Sequence, residues 1–588
     1  MICDLISALV IPYPVGTVLD PSCGNGAFLA SAKDRLAGLG ACGTRLLGIE
    51  IRESATNECR ERFADDDAVE VKTADFFDLD PRPVDVIIGN PPYIRQEHII
   101  NKNKVRAHLE GRSPEISEIS DLYVYFFTNS ARWLVDGGGM GFLTSERYLD
   151  TGYGTGLQHF MLDHFRIHTV IGFDRNIFGD ALVGTVITIL EKEPRSGVRN
   201  INPVRFLRIK QPLEIDDILG ILKEDPGVDE KIQTEAFSMV IVNQKCLGGT
   251  TKWSTFLFAP SVYAELRAHP EFIELSELAS IKRGITSGAN RFFYKRTGEL
   301  ARLEETYPGI SAYFRPLLKA IGQGDYLTVE SGDTDWHVLD VHGRVDEFIT
   351  DFVAREVQGK WDTIPPANNP TCAARMTWFD LGAIPRGGIA FPETCWTKFI
   401  CPVISPEVAL DKRVYRVLVK EWPVPDPRVD REKVLAGILN SDITAIFYEF
   451  SGRIYAGQAM DRASCMVYEA AAMKVIDPRS LETNALLKIQ DAFDRLAAEE
   501  RWLVPRKTSG TVFEIPSNAT EDERVNRERY LMLRRDLNEA VLGAIGLADK
   551  LDEIRAEYQR IVDRRRARGN DDNLVLIERT TAGRAGAQ

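Results

Sequence analysis

The chain has 588 residues, 27% of them charged, and a formal net charge of −14, which predicts a soluble protein of about two to four domains. Because no basic excess covers the whole chain, contact with phosphates would require a local basic groove. The nine cysteines form no Cys-x-x-Cys pair, and neither a signal peptide nor an apolar run of bilayer length is present. These features exclude a disulfide framework and a zinc finger, and predict a cytoplasmic protein with reduced thiols and no membrane segment.

The first 195 residues alternate apolar runs with helical segments, which predicts a Rossmann-like α/β domain. An N-terminal helix is predicted from Met1 to Leu9 and a second helix over 121–135. Predicted strands cover 15–19, 45–49, 69–71, 84–88, 139–144, 168–173 and 186–190. The glycine-rich stretch 148–156 predicts a loop.

A glycine-containing turn follows the first predicted strand, with the sequence Asp-Pro-Ser-Cys-Gly-Asn-Gly-Ala-Phe-Leu over residues 20–29. A strand, such a turn and a helix start predict a nucleotide-type cradle, in which glycines let the backbone approach a ligand closely. The pattern is not Gly-x-Gly-x-x-Gly, so it does not imply a dinucleotide. Glu50 ends the next predicted strand, at a position that suits an acceptor for ribose hydroxyls.

The run Gly89-Asn90-Pro91-Pro92-Tyr93 follows the fourth predicted strand. Its two prolines stiffen the turn and remove two backbone donors. The Asn90 side-chain oxygen and the Pro91 carbonyl are then two convergent acceptors, which suit the two N–H donors of an exocyclic amino group. Tyr93 adds a flat face for stacking. The run therefore predicts a site for a flat, aminated ring at the carboxyl end of a strand.

Asn-Pro-Pro-Tyr resembles motif IV of the S-adenosylmethionine-dependent amino methyltransferases. The longer run from Asn90 to Glu97 resembles the gamma-class DNA N6-adenine methyltransferases of the TaqI and Eco57I type. Residues 20–29 resemble motif I of that family, which holds the methionine part of the cofactor. The resemblance implies a class I methyltransferase fold, S-adenosyl-L-methionine as the cofactor, no metal, and a target adenine flipped out of double-stranded DNA.

The same resemblance assigns roles to the remaining residues of the site. Asp75 would accept from the cofactor's adenine, with Phe76 and Phe126 flanking that ring, and Phe178 would face Tyr93 across the extruded base. The implied catalytic residues are Asn90, Pro91, Pro92, Tyr93 and Phe178. The implied cofactor-binding residues are Asp20, Pro21, Cys23, Gly24, Gly26, Phe28, Glu50, Asp75, Phe76 and Phe126.

The rest of the chain is predicted to form a connecting region over 196–275, a mixed α/β target-recognition domain over 276–480 and a helical region over 481–588 that ends in a mobile tail. Segments 278–293, 375–380, 389–393 and 438–441 resemble target-recognition domains of Eco57I-like enzymes. Basic and aromatic residues alternate there, as DNA contact requires; the alternative is a solvated basic face over an aromatic core. The candidate DNA-binding residues are Lys282, Arg283, Asn290, Arg291, Arg375 and Trp378.

These features predict a site-specific adenine methyltransferase that works beside a separately encoded restriction endonuclease, since no nuclease centre is recognisable in the sequence. Two alternatives stay open: a methyltransferase acting on RNA or on protein glutamine, and a catalytically weak DNA-binding subunit of a defence system. The family's Thr-Pro segment, motif X, precedes its first helix, whereas Met1 already lies in that predicted helix. We therefore expect either an upstream start codon or weak activity.

Overall fold

The computed structural model describes residues 1–107, 109, 116–174, 184–228, 230–248, 252–321, 326–358, 364–396, 398–455, 462–503, 519–569 and 577–578. Phe178 and nearly all of the predicted tail lie outside these residues. The chain divides into two compact units. The first comprises Met1–Ala259 and the chain end from Arg566, and the second comprises Pro260–Tyr455 and residues 462–565. No helix in the described ranges has both the length and the apolar content of a membrane span.

The first unit alternates strands and helices through most of its length, as the sequence predicts. Its strands are β1 Thr17–Asp20, β2 Arg45–Glu50, β3 Val69–Thr73, β4 Val84–Gly89, β5 Leu134–Ser145, β6 Phe165–Phe173, β7 Thr185–Lys192, β8 Pro203–Ile209, β9 Leu213–Glu214, β10 Lys231–Gln233 and β11 Phe237–Asn243. Its helices are α1 Ile2–Val10, α2 Ala27–Gly38, α3 Glu53–Arg62, α4 Lys102–Ala107, α5 Leu122–Trp133, α6 Gly152–His164, α7 Ser196–Asn200, α8 Ile215–Ile221 and α9 Ser254–Phe258.

One sheet organises this unit, with the strand order β10-β11-β8-β6-β7-β5-β4-β1-β2-β3. Strands β1 to β5 pair in parallel, and β7 is antiparallel to β5 and β6. The order reverses between β1 and β4, which are adjacent and parallel. Open α/β sheets bind ligands at the carboxyl ends of the strands that flank such a switch point, so the predicted Rossmann-like fold is confirmed.

Helices cover both faces of the sheet, which is why its central strands are apolar throughout. On one face, Leu5 and Ile6 of α1 belong to the same buried cluster as Val18 and Ile88. On the other face, the ring of Phe127 in α5 meets that of Phe142 in β5 edge-on, with centroids 5.1 Å apart. Helix α5 is consequently buried on most of its sides.

The loop predicted over 148–156 is wrong, because the chain there forms a short 3₁₀ turn, Glu146–Leu149, followed directly by α6. The glycines that suggested a loop serve close packing instead. A Cβ on Gly154 would lie 2.1 Å from the carbonyl oxygen of Tyr148. Only glycine lets the helix pass that carbonyl, so a packing requirement overrides the low helix propensity of glycine.

The connecting region predicted over 196–275 is also not separate from the first sheet. Strand β8 pairs in parallel with β6, and β11 pairs antiparallel with β8. These residues extend the first sheet, and the first unit continues to Ala259. The predicted boundary at 195 follows a charged, proline-containing stretch that is only a connection between two strands of one sheet.

The second unit is a mixed α/β assembly, as predicted. Its strands are β12 Phe272–Glu274, β13 Ala279–Arg283, β14 Tyr294–Arg296, β15 Phe314–Leu318, β16 Thr328–Val329, β17 Trp336–Leu339, β18 Arg386–Pro392, β19 Thr394–Cys395, β20 Val403–Leu410, β21 Val414–Val419, β22 Arg453–Tyr455, β23 Arg462–Ser464 and β24 Lys474–Ile476. Its main sheet has the order β13-β21-β18-β20-β15-β17-β14, with β16 also paired to β20.

The helices of the second unit include the helical region predicted after residue 481, which clusters with the sheet rather than apart from it. They are α10 Ser261–Ala268, α11 Leu275–Leu278, α12 Asn290–Phe293, α13 Thr297–Thr306, α14 Glu347–Val357, α15 Pro370–Ala373, α16 Arg431–Leu439, α17 Asp442–Ser451, α18 Val467–Ala472, α19 Thr483–Leu503, α20 Glu521–Gly543 and α21 Leu551–Gly569. A last strand, β25 Ile577–Glu578, pairs with β9 of the first unit.

Two arginines near the end of α21 lie inside the second unit. Arg564 and Arg565 are buried, and their guanidinium groups lie 3.3 and 3.6 Å from the carboxylate of the buried Glu449 on α17. Arg565 also donates to the carbonyl of Cys395. Both guanidinium groups therefore interact with acceptors inside the second unit.

Candidate active site

The site begins where β1 and β4 end side by side. Leu19 of β1 is in register with Ile87 of β4, so Asp20 and Gly89 reach the same edge of the sheet. The two strand ends touch: a Cβ on Gly89 would lie 2.8 Å from Asp20 Oδ1. Two predicted motifs, 69 residues apart in sequence, thus meet at the switch point.

The turn after β1 is shaped by two glycines in the left-handed region, Gly24 at φ 52° and Gly26 at φ 81°. A Cβ on Gly26 would lie 2.6 Å from the sulfur of Cys59, so this glycine is needed to pack α2 against α3. At Gly24 an added Cβ would meet nothing within 4 Å. The backbone of Gly24 is therefore open on that side, as a ligand cradle requires.

Other residues of the turn over 20–29 pack into the core of the first unit. Pro21 and Phe28 are buried, and the amide of Cys23 donates to the carbonyl of Ile49 at 2.9 Å. Hydrogen bonding with the Cys59 thiol and burial both raise the pKa of Cys23. Cys23 therefore stays a neutral thiol that fixes the turn against β2.

Asp20 has a buried carboxyl oxygen that makes no hydrogen bond to the described residues. Its side chain is 1% exposed, and Oδ1 accepts from the amide of Ser22 at 3.0 Å. Its Oδ2 is buried and has no hydrogen-bond partner among the described residues. Burial raises the pKa of Asp20 to about 8, because ionisation is unfavourable away from water.

Glu50 ties the turn to β2. One oxygen accepts from the amide of Gly24 at 3.0 Å, and the other accepts from the amide and Nε of Arg52. The carboxylate is 6% exposed, so it lies beneath the cradle with its position fixed by the turn. An acceptor at the end of the second strand is where the sequence predicted a ribose contact.

The structure brings Asp75, Phe76 and Phe126 close together. Asp75 Oδ1 accepts from the amide of Phe77, and its Oδ2 forms an ion pair with Lys104 at 2.9 Å. The rings of Phe76 and Phe126 stack, with centroids 5.5 Å apart and an angle of 22°. Lys104 was missed from the sequence, since it lies 29 residues beyond Asp75 in a segment with no recognisable motif.

The Asn90 turn contains a second buried oxygen without a hydrogen-bond partner among the described residues. Asn90 Oδ1 is buried without a partner among the described residues, while its carbonyl accepts from the Ser22 hydroxyl at 3.4 Å. The Tyr93 hydroxyl donates to the carbonyl of Leu143 in β5 at 3.4 Å. Burial raises the pKa of Tyr93, so it stays a neutral phenol. Pro91 is buried and Pro92 is half-buried.

Asp121 supports this turn and was recognised in the sequence only as a helix start. Its carboxylate accepts from the amide of Gln96 at 3.1 Å and from the hydroxyl of Tyr153 at 2.8 Å. The carbonyl of Ile94 accepts from the amide of Leu122. The segment after Tyr93 is therefore fixed to the start of α5, 25 residues away, a link that no local pattern encodes.

The candidate DNA-binding residues lie in the second unit. Lys282, Asn290 and Arg291 are exposed. Arg283 pairs with Glu393 at 3.3 Å and lies over the Tyr415 ring.

Arg375 and Trp378 have internal contacts instead. Arg375 donates to the carbonyls of Thr286 and Ser287 at 2.7 and 2.9 Å. The Trp378 ring packs 4.9 Å from that of Phe292. The structure thus brings segments 282–291 and 375–378 together, with Arg375 as the link.

Sequence comparison places this geometry in a known family. Residues 44–178, which include β2 to β6 and the Asn90 turn, match the sequence model of the Eco57I restriction-modification methylase family. Residues 44–178 are therefore similar to an Eco57I-type methylase domain.

Relatives of the methylase domain extend the likeness beyond that segment. The chain is 24% identical over 377 residues to the Type II methyltransferase M.AccI of Acinetobacter calcoaceticus, covering 62% of this chain and 64% of that protein. It is 25% identical over 455 residues to M.XamI of Xanthomonas campestris pv. amaranthicola, covering 75% and 77%. It spans only 53% of the length of M.BanIII of Aneurinibacillus aneurinilyticus, at 23% identity and 48% of this chain.

The fold has a solved counterpart over almost its whole length. The Type IIL restriction-modification enzyme MmeI, solved in complex with DNA, superposes with a TM-score of 0.55 over 95% of this chain and 74% of that chain. The sequence identity is 13%, so the likeness shows a shared fold that includes the second unit as well as the methylase domain.

Proposed function

We propose that this chain is a site-specific DNA methyltransferase that transfers a methyl group from S-adenosyl-L-methionine to N6 of adenine, as the modification enzyme of a restriction-modification system. The observation that carries the proposal is the unpartnered, buried Asn90 Oδ1 at the carboxyl end of β4. A buried acceptor without a donor is unfavourable, and a substrate amino group would supply that donor.

The residues of the cradle fit the cofactor. The Asp20 Oδ2 atom is buried and unpartnered, and the space beside Gly24 is open. Glu50 and Asp75 would hold the ribose and adenine ends, with Phe76 and Phe126 beside the adenine. When bound, S-adenosyl-L-methionine supplies an electrophilic methyl group on a sulfonium.

The protein's part in the chemistry is to position the amino group and to withhold its lone pair from the ring. Asn90 Oδ1 and the Pro91 carbonyl would each accept one N6 hydrogen, which increases electron density on nitrogen. Methylation would leave a positive charge on N6, which the same two acceptors would stabilise until one N6 proton is lost to solvent. Tyr93, neutral and anchored to Leu143, would stack on the base. Phe178 lies outside the described residues and keeps its predicted role on the other face.

Duplex DNA is supported as the substrate by the names of the relatives and by the second unit. M.AccI and M.BanIII are Type II methyltransferases, and MmeI was solved with DNA. An adenine paired inside a duplex must be flipped out to reach Asn90, and exposed Lys282 and Arg291 suit the flanking phosphates. A separately encoded restriction endonuclease is the partner that this role implies.

The decisive experiment expresses the chain in a host without adenine methylation, digests plasmid DNA to nucleosides and measures methylated bases by mass spectrometry. We expect N6-methyldeoxyadenosine with the wild-type chain. For the purified Asn90→Ala variant we expect turnover to fall at least about 100-fold, the loss typical of removing one transition-state hydrogen bond, with duplex binding retained. Asn57→Ala, an exposed asparagine on α3, is the matched control and keeps full activity.

Each alternative gives a different result in the same assay. Methyl on cytosine N4 would refute adenine as the target but retain DNA methylation. No methylated DNA, together with methyl transfer to RNA or to a protein glutamine, would support the first alternative function. Duplex binding without any transfer, from wild type and from an N-terminally extended chain, would support a DNA-binding subunit.

A further inference from the structure

Met376 is an exposed apolar side chain in the midst of the candidate DNA-binding residues. It is 105% exposed, the highest value among the large apolar side chains of the described residues. Its neighbours in sequence, Arg375 and Trp378, are directed into the protein. The chain therefore holds a methionine in solvent between two anchored residues.

Arg375 and Trp378, on either side of Met376, are half-buried and make contacts within the second unit. The Arg375 guanidinium donates to the carbonyls of Thr286 and Ser287, and also to that of Trp378 at 3.2 Å. It lies 5.5 Å from the centre of the Phe293 ring. Because these contacts fix the backbone on both sides, Met376 is presented at a defined position, and little ordering entropy remains to be lost when a partner binds.

A second set of contacts joins the two segments that form this surface. The thiol of Cys372 donates to the carbonyl of Ser287 at 3.4 Å. A Cβ on Gly288, at φ 79°, would lie 2.8 Å from Thr371. The Ser287 hydroxyl in turn bonds to the side-chain oxygen of Asn290. Residues 286–291 and 370–378 thus form one platform, which we name the Met376 platform.

The composition of the Met376 platform distinguishes between kinds of partner. Its other exposed residues are small, polar or proline: Thr286, Asn290, Arg291, Pro370, Thr371, Ala373 and Ala374. A protein interface needs an apolar core made of several large side chains, which the described platform lacks. One apolar wedge beside an amide and a guanidinium suits a nucleic-acid duplex, where such side chains enter a base step and polar groups contact the backbone.

We infer that Met376 is a wedge that inserts between two base pairs of the DNA bound by this chain. The inference rests on the proposed function, because it requires a duplex substrate. Insertion unstacks one base step, and the energy of that unstacking depends on the sequence of the step. Met376 therefore acts as a specificity-determining residue at a step that it reads through deformability rather than hydrogen bonds.

The test uses the full chain and its own recognition duplex, obtained by sequencing the methylated bases of the plasmid. 2-Aminopurine is placed at each position in turn, and its fluorescence rises where a base loses its stacking partner. With wild type we expect a rise at one step away from the target adenine. Met376→Ala abolishes that rise and weakens duplex binding about 10-fold, whereas Met376→Leu retains both.

Two controls isolate the wedge. Met532→Ala removes a partly exposed methionine on α20 and leaves fluorescence and affinity unchanged. A duplex with a mismatch at the opened step binds wild type and Met376→Ala almost equally, because the unstacking has been supplied in advance. Equal unfolding midpoints for wild type and Met376→Ala verify that folding is intact.

The outcomes separate this inference from the proposed function. If Met376→Ala binds the matched duplex as tightly as wild type and gives the same fluorescence, the wedge is refuted while methylation still stands. If wild type neither methylates nor binds DNA, the proposed function fails and the wedge fails with it.

Discussion

At the scale of single residues, the site is defined by two oxygens that the fold buries and leaves unpaired. Asp20 Oδ2 and Asn90 Oδ1 lie at the ends of adjacent strands without donors among the described residues. Burying a polar atom without a hydrogen bond costs free energy. A ligand at this edge of the sheet would complete their hydrogen bonding, and both atoms belong to residues that the sequence selected.

The raised pKa of Asp20 gives a prediction about pH. The unfolded carboxyl titrates near pH 4, whereas burial raises its folded pKa to about 8. The folded state then binds the proton more tightly, so stability is greatest below about pH 4 and declines as the pH rises to about 8. We expect Asp20→Asn to reduce this decline by ~1 kcal/mol per pH unit, measured as the pH dependence of the urea midpoint of the cofactor-free protein.

Asp136→Asn is the control for that measurement, since Asp136 lies in the same unit with a side chain that is 67% exposed. Its midpoints should follow those of wild type at every pH. Parallel curves for Asp20→Asn and wild type would show that the Asp20 carboxyl is already ionised in the folded protein.

At the scale of elements, α6 shows glycines used for packing within a helix. Gly152 and Gly154 lie in its first turn, but only Gly154 faces the backbone of Tyr148. Helix propensity penalises both glycines equally, so the difference between them comes from their surroundings.

Substitution of these two glycines tests that account. In Gly154→Ala the new methyl would overlap the Tyr148 carbonyl, and backbone cannot rotate away as a side chain can. We expect a loss of about 1–3 kcal/mol, the usual cost of overpacking, measured by the urea midpoint of the first unit's transition. Gly152→Ala has open space and should be neutral or stabilising by up to ~1 kcal/mol. Similar losses in both variants would contradict the packing account.

The Arg375 segment illustrates the same difference between composition and placement. Its basic and aromatic residues predict DNA contact, yet Arg375 and Trp378 have internal partners. Their contacts leave Met376 as the exposed side chain of that turn. A DNA role for the segment therefore passes through a residue that composition alone does not select.

At the scale of the whole molecule, the net charge of the chain does not show which charged side chains lie on the surface and which lie in the interior. The net charge is −14, yet some of the arginines lie in the core of the second unit. Arg534 pairs with Asp442 at 2.9 Å, and both side chains are buried. Counting basic residues in the sequence therefore overestimates the cations that a nucleic acid can meet.

The buried cluster of Arg564, Arg565 and Glu449 carries the third stability prediction. Glu449→Gln keeps the shape but removes the carboxylate charge that faces the two buried guanidinium groups. We expect a loss of about 3–5 kcal/mol, seen as a lower urea midpoint for the second unit. Asp426→Asn breaks an exposed pair with Arg428 and should leave the midpoint unchanged, since exposed pairs contribute little. An unchanged midpoint for Glu449→Gln would show that the cluster is not a net stabiliser.

The sequence by itself determined the Rossmann-like fold of the first unit and selected the candidate site residues. Strand periodicity located β1 to β7 because those strands are short apolar runs bounded by turns, and the residue types at two strand ends indicated an amino methyltransferase. Such information is local, since a turn such as Asn-Pro-Pro-Tyr sets its own backbone and exposes its own acceptors.

Only the tertiary structure decided which residues are free to act. It joined 196–243 to the first sheet and placed Lys104 beside Asp75 and Asp121 beside the Asn90 turn. It also engaged Arg375 in internal hydrogen bonds and buried Arg564 and Arg565. Each of these depends on a partner tens of residues away or more. The sequence encodes such pairings only through the complete packing of the chain, because burial and partner choice are properties of the assembled core.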